Sequence, residues 1–208
     1  MMDKPVIIIG NGGHAKVITD ILLFQNRDII GFTAPQKESN AYQIAYLGKD
    51  EAILQFKPDE IELINGIGSV KDTENRKNIY LYFKSCNYIF SSVVHPSALI
   101  ANSVELGEGV QIMAGSVIQP FAKIADNTIV NTSVSIDHDC HIGKHCHIAP
   151  GCTFSGMVSI GDCSHIGTGT TIIQNIKIGS HVLIGAGSLV IHNIGSNKKA
   201  FGAPAKEV

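Results

Sequence analysis

The stretch Ile136-Asp137-His138-Asp139-Cys140-His141-Ile142-Gly143-Lys144-His145-Cys146-His147-Ile148 decides the fold, because isoleucine returns every sixth residue. Extended both ways, the frame reads Ile100, Leu106, Ile112, Ile118, Ile124, Val130, Ile136, Ile142, Ile148, Phe154, Ile160, Ile166, Ile172, Ile178, Ile184 and Val190. Glycine often follows the apolar residue, as at Gly107, Gly143, Gly161 and Gly185. Four positions after it stands a small or β-branched residue: Val110, Ser116, Ala122, Thr128, Val134, Cys140, Cys146, Cys152. Six is neither a helical period nor a strand alternation; it fits one short strand and one corner, repeated. Three sides close a coil of eighteen residues, and the sixteen uninterrupted hexads make about five coils of a β-solenoid. Each side then stacks on its equivalent at about 4.8 Å.

This frame sorts the histidine and cysteine cluster. Cys140, Cys146 and Cys152 share the small inward position and read as buried packing residues. His138 falls two after the apolar position and is placed outward, near a corner. The cluster therefore diverges, so neither a metal site nor a cysteine nucleophile is expected. His147 and His165, eighteen apart, should stack on one edge, with His165 structural. His141, His145, His181 and His192 read as solvated.

The first half reads differently. Val6 to Ile9 is a buried strand, followed by Gly10-Asn11-Gly12-Gly13-His14-Ala15 and a helix packing Val17, Ile18, Ile21 and Leu22. Further strands are expected at Ile29 to Phe32 and Ile61 to Ile64. Helices are expected at Asp50 to Phe56 and at Lys71 to Lys84, the latter packing Ile79, Leu81, Tyr82 and Phe83. The alternation implies a small Rossmann-like α/β domain with a parallel sheet over residues 1–92, ahead of the solenoid at 93–208. Gly-x-Gly-x-x-Ala at the first turn brings backbone N–H groups to a helix N-terminus, where a diphosphate can bind. NAD is disfavoured: Asp28 precedes the second strand, and Phe32-Thr33-Ala34-Pro35 follows with no acid. A glycine-rich corner with no ligand is the competing reading.

The net charge of −2 gives no sign of nucleic acid or an anionic membrane as partner. No apolar run approaches the roughly 20 residues that span a bilayer. Val6 to Ile9 is too short for a signal-peptide core, so a soluble cytoplasmic protein is expected. The five cysteines are then thiols.

Residues 100–195 resemble the hexapeptide-repeat acyltransferases. Ile8 to Val17, Gly66-Ile67-Gly68 with Arg76, Asn131 to Cys140, and Gly202-Ala203-Pro204-Ala205-Lys206 resemble one branch: the nucleotide-aminosugar N-acetyltransferases and sialic acid O-acetyltransferases. The resemblance implies a left-handed parallel β-helix, a homotrimer with active sites between subunits, and acetyl-CoA as co-substrate. It implies His138 as catalytic base oriented by Asp139. His147, Gly156, Thr168, Ala186 and Lys177 would serve the cofactor, with Lys198, Lys199 or Lys206 as further partners for its phosphates. Gly10, Gly12, Gly13, His14, Gly68 and Asn131 would serve the sugar nucleotide, a 4-amino-4,6-dideoxysugar of bacterial surface glycan synthesis. O-acetylation of a sialic acid and a non-catalytic solenoid are the alternatives.

Overall fold

The computed structural model describes residues 4–69 and 73–208, in two compact units. The first holds residues through Gly68 together with Asn75–Val93. Its four parallel strands are β1 (Val6–Ile9), β2 (Ile29–Thr33), β3 (Tyr46–Gly48) and β4 (Glu62–Asn65), in the order β3-β2-β1-β4. β1 is central and wholly buried, which is why it is a continuous apolar run with no alternation. α1 (Gly13–Phe24) buries Ala15, Ile18, Thr19, Ile21 and Leu22, whereas Val17, expected to pack, is exposed. α2 (Glu74–Ser85) buries Arg76, Tyr80 and Phe83. A stripe through 76, 80 and 83 carries Leu81 and Tyr82 away from the core, so both expected packing residues are about half exposed. Lys71, the expected start of this helix, lies outside the described residues. Residues Asp50–Gln55 form a 3-10 turn in place of the expected α-helix, and β3 is a strand beyond those expected.

Arg76 explains a motif. Its guanidinium is buried and donates to the carbonyls of Asn65, at 2.6 Å, and Ile67, at 2.8 Å. Asn65 Nδ2 returns a bond to the Arg76 carbonyl at 3.0 Å. The Gly66-Ile67-Gly68 turn after β4 is thus held by a residue about ten positions away. Burial lowers the Arg76 pKa to about 9.

The second unit is a left-handed parallel β-helix of two-residue strands. Face one carries Gln111–Ile112, Ile129–Val130, His147–Ile148, His165–Ile166 and Leu183–Ile184. Face two carries Leu99–Ile100, Val117–Ile118, Ser135–Ile136, Thr153–Phe154, Thr171–Ile172 and Leu189–Val190. Face three carries Glu105–Leu106, Lys123–Ile124, His141–Ile142, Ser159–Ile160 and Lys177–Ile178. Partners lie eighteen residues apart, as in His147↔His165 and Ser135↔Thr153. The hexad residues fill the core from Ile112 onward. Ile100 is only half-buried and Leu106 is exposed, because the first coil has no neighbour on its outer side. The last coil is shortened: Ile194 bridges Ile178 and Ala200 pairs with Ile184, sixteen residues on.

The small inward residues do more than fit. Ser116, Thr128, Ser164 and Thr170 donate to the carbonyl fifteen residues later, at 2.8 to 3.2 Å. Cys140, Cys146 and Cys152 follow the same rule, with Sγ 3.2 to 3.3 Å from the carbonyls of Ser155, Gly161 and Gly167. Each satisfies a carbonyl that would otherwise be left at a corner. Burial pushes these thiols up to about 11, about 12 and about 11 respectively. An alkylating reagent at pH 7.5 is therefore expected to label at most Cys86 and Cys163, which are half-buried, while the protein stays folded. Mass spectrometry showing rapid native labelling of Cys146 would contradict the packing described.

Candidate active site

At the end of β1 the chain enters α1 through Gly10, whose φ of 97° lies in the left-handed region that favours glycine. The N-cap of α1 is Gly12, with no side-chain cap and no acid in the first turn. Neither a capping side chain nor an acid in the first turn competes at this helix N-terminus, an arrangement suited to an anion. Beside them, a Cβ placed on Gly68 would come within 3.1 Å of His14 Cβ, so the Gly66–Gly68 turn packs closely on His14. Gly10, Gly12, Gly13, His14 and Gly68 form one cluster. Asn131 belongs to the other unit.

His138 stands at the corner between faces two and three, with its side chain about half exposed. The next residue, Asp139, takes a φ of 57°, which bends the chain so that adjacent side chains converge. Asp139 Oδ2 lies 2.8 Å from His138 Nδ1. Nδ1–H therefore donates to the carboxylate and leaves the Nε2 lone pair outward. This hydrogen bond is the main cause raising the His138 pKa; desolvation opposes it, and the charges of Asp137 and Asp139 add to it. One coil on, the imidazole lies over Gly156: a Cβ there would be 2.6 Å from Cε1 and 2.7 Å from Nε2. The His138 carbonyl also accepts from Met157 N–H at 2.9 Å, fixing the two corners together. Only a neutral imidazole can take a proton, so a reaction that used His138 as its base would slow as pH drops through the raised His138 pKa. Asp139→Asn removes the main cause of the rise. The acid limb of kcat/KM should then move to lower pH, with a reduced plateau; an unmoved limb would reject the pairing.

Face one carries a second arrangement. His147, Ala149, His165, Thr168, Ala186 and Phe201 line a groove of about 420 Å³, closed on one side by Ser69. The rings of His147 and His165 meet edge to face, with centroids 4.9 Å apart. Thr132 N–H donates to Asn131 Oδ1 at 2.8 Å, which orients the amide so that Nδ2 meets His147 Nε2 at 3.1 Å. His147 Nδ1 lies 2.7 Å from Ser69 Oγ and 3.1 Å from the Ser69 carbonyl. A tautomer with Nε2 accepting from Asn131 and Nδ1–H donating to Ser69 fits both contacts. Asn131 is directed at His147, and through it at whatever fills the groove. His165, expected to be structural, is buried and also lines this groove. The Ser69 contact spans 78 residues of sequence and leaves no local signal.

The expected site residues thus fall into separate places. His138, Asp139 and Gly156 meet at one corner; His147, Thr168, Ala186 and Asn131 meet on or beside face one. Lys177 stands on face three, two strands along from His141, and does not line the face-one groove. His145, expected to be solvated, is buried: its corner φ of 56° turns the ring along the stack, where Nδ1 meets Asn127 Nδ2 at 3.0 Å. Among the described residues, the group that brings three potential metal ligands together lies elsewhere: Glu74, Cys163 and His181, with His181 Nδ1 3.8 Å from Glu74 Oε1. Lys198 and Lys199 line the same hollow, and their charge opposes a bound cation.

The PglD N-terminal domain family matches residues 5–83, and the bacterial transferase hexapeptide family, of six repeats, matches residues 121–156. UDP-N-acetylbacillosamine N-acetyltransferase of Bacillus subtilis (strain 168) is 34% identical over 116 residues, which are 53% of this chain and 52% of the relative. The matched part thus spans about half the length of that curated relative. A crystal structure of perosamine N-acetyltransferase from Caulobacter crescentus, a histidine-to-asparagine variant with CoA and GDP-perosamine, superposes with a TM-score of 0.92 at 31% identity. That likeness covers 98% of this chain and 96% of the other. The acetyltransferase domain of PglB from Neisseria gonorrhoeae FA1090, in complex with acetyl coenzyme A, gives 0.93 at 28% identity, covering 100% of both chains. Matched over 98% of its length to a relative of 31% identity, of which it covers 96%, the chain belongs to the PglD-like family of hexapeptide-repeat nucleotide-aminosugar N-acetyltransferases.

Proposed function

We propose that the protein transfers an acetyl group from acetyl-CoA to the amine of a nucleotide-linked 4-amino-4,6-dideoxysugar, for bacterial surface glycan synthesis. The observation that carries this reading is the His138–Asp139 pair seated over Gly156. His138 Nε2 takes the proton of the attacking amine as nitrogen adds to the thioester carbonyl, and Asp139 stabilises the imidazolium. Backbone N–H groups at the prism corner, that of Gly156 first, face the developing oxyanion. The tetrahedral intermediate expels the CoA sulfur, which recovers a proton from His138. The products are the N-acetylated sugar nucleotide and free CoA, with no acyl-enzyme.

His138 stands at the corner opposite face one of its own prism, so it cannot reach the His147–Ala186 groove. Two half-sites on opposite sides support a homotrimer in which one prism's corner meets its neighbour's groove, with pantetheine along Thr168 and Ala186. Mixing inactive His138→Ala with inactive Ala186→Trp protein should restore activity in mixed trimers. Failure of exchanged mixtures to recover would reject shared sites. Among the described residues no helix is long and apolar enough to cross a membrane, and both substrates of this reaction are cytoplasmic metabolites, so we place the enzyme in the cytoplasm.

The test of the reading is CoA thiol release from acetyl-CoA with a panel of amino- and hydroxy-sugar nucleotides. Release with an amino-sugar nucleotide is expected. Release with hydroxy-sugars alone would overturn N-transfer in favour of O-acetylation, and no CoA binding at all would favour a non-catalytic solenoid.

A further inference from the structure

In sheets of this kind an acid at the end of the second strand takes up the nucleoside. Here β2 ends on Thr33, Ala34 and Pro35, with no acid. The structure supplies one from the next strand. Thr33 is fully buried, and its hydroxyl donates to Asp50 Oδ1 at 2.6 Å. Asp50 closely follows β3, and the ends of β2 and β3 are tied by Ala34 N–H to the Gly48 carbonyl at 3.1 Å. Asp50 lines a hollow with Pro35, Lys49 and Glu51.

A second set of bonds shapes the same edge. Asn11, inside the glycine turn, donates to the Ser39 carbonyl at 3.0 Å and accepts from Asn40 Nδ2 at 2.7 Å. Asn40 Oδ1 in turn accepts from the N–H groups of Tyr42 and Ile44. The segment between β2 and β3 is thereby fastened to the turn that opens α1. Running along the C-terminal edge of the sheet, the features are the α1 N-terminus at β1, Thr33 at β2 and Asp50 at β3. At ~4.8 Å per strand they span roughly 10 Å, about the reach of a nucleoside from its phosphate to the far edge of its base.

We infer that Asp50, anchored by Thr33, is the specificity residue that accepts a hydrogen bond from the nucleoside of the sugar nucleotide. This rests on the proposed function and deepens it. The Thr33 hydroxyl uses one of the roughly four lone-pair sites of the carboxylate, and the others can accept from a base N–H or a ribose hydroxyl.

The test is calorimetric binding of UDP, dTDP and GDP to the full chain, without acetyl-CoA. Asp50→Asn keeps the shape and the bond from Thr33 but turns a donor toward the ligand. It is expected to weaken the tightest-bound of the three at least tenfold, with acetyl-CoA affinity and melting temperature unchanged. Thr33→Val, which frees the carboxylate from its anchor, should weaken it by a smaller factor. N3-methyl-UDP and 2′-deoxy-UDP locate the donor, since the one Asp50 reads is the one whose loss abolishes the difference between wild type and Asp50→Asn. Binding by the Asp50→Asn variant within twofold of wild type overturns the assignment, as does a wild-type protein that binds none of the three diphosphates. Should Asp50→Asn fail to fold, unchanged binding by Thr33→Val overturns it equally. A wild type that binds UDP through Asp50 yet releases no thiol on any acceptor leaves the assignment standing and defeats the proposed reaction.

Discussion

His138→Ala is expected to lower kcat by about 100-fold or more while acetyl-CoA binding and the melting curve stay near wild type. The size follows from the step proposed for it: without a base at Nε2, the attacking amine would have to lose its proton to water. The fold should survive because the side chain is about half exposed at a corner and contributes nothing to the apolar core. Steady-state kinetics with a saturating amino-sugar nucleotide, paired with calorimetric CoA binding, measures both halves. Near-normal turnover by a folded variant would end the assignment.

Gly156→Ala should cost nearly as much, for a different reason. The added Cβ meets three ring atoms of His138, at 2.6, 2.7 and 3.2 Å, and no nearer backbone. Carbon contacts this short cannot persist, so the ring must leave its seat, and an exposed side chain can do so without disturbing the prism. A fall in kcat of roughly 10- to 100-fold is expected, since small misplacements of a catalytic group carry losses of that order. Alanine retains the backbone N–H, so the variant tests the seat of the ring and leaves the proposed oxyanion donor in place. In a His138→Ala background the same substitution should cost almost nothing, because the ring it displaces is gone. A full additional loss in the double variant would show that Gly156 acts independently of His138.

The prism was legible because its signal is local: one apolar residue in six, repeated, fixes side, depth and neighbour at once. The eighteen-residue spacing of that frame is also what stacks Gly156 against His138. The frame failed at the corners, where left-handed residues such as His145 choose their direction from the column above them. β3 escaped because Tyr46-Leu47-Gly48 is three residues without alternation, recruited by pairing to β2. Leu81 and Tyr82 look like packing residues until Arg76, a charge no apolar pattern would put in a core, sets the buried stripe of α2. Ser69 with His147, and Thr33 with Asp50, are contacts between distant stretches of sequence.

The eighteen-residue register also governs how such a protein can change length. Removing one hexad keeps every strand apolar and every corner intact, yet turns all later coils by a third of a revolution. If a hexad between His147 and Thr168 were lost, Thr168 and Ala186 would move to a neighbouring face and the groove would be dismantled with little harm to the core. Lineages of this fold can therefore gain or lose material cheaply only in whole coils. A gap in multiples of eighteen preserves the site, and a gap of six or twelve marks a chain that has lost it or rebuilt it elsewhere.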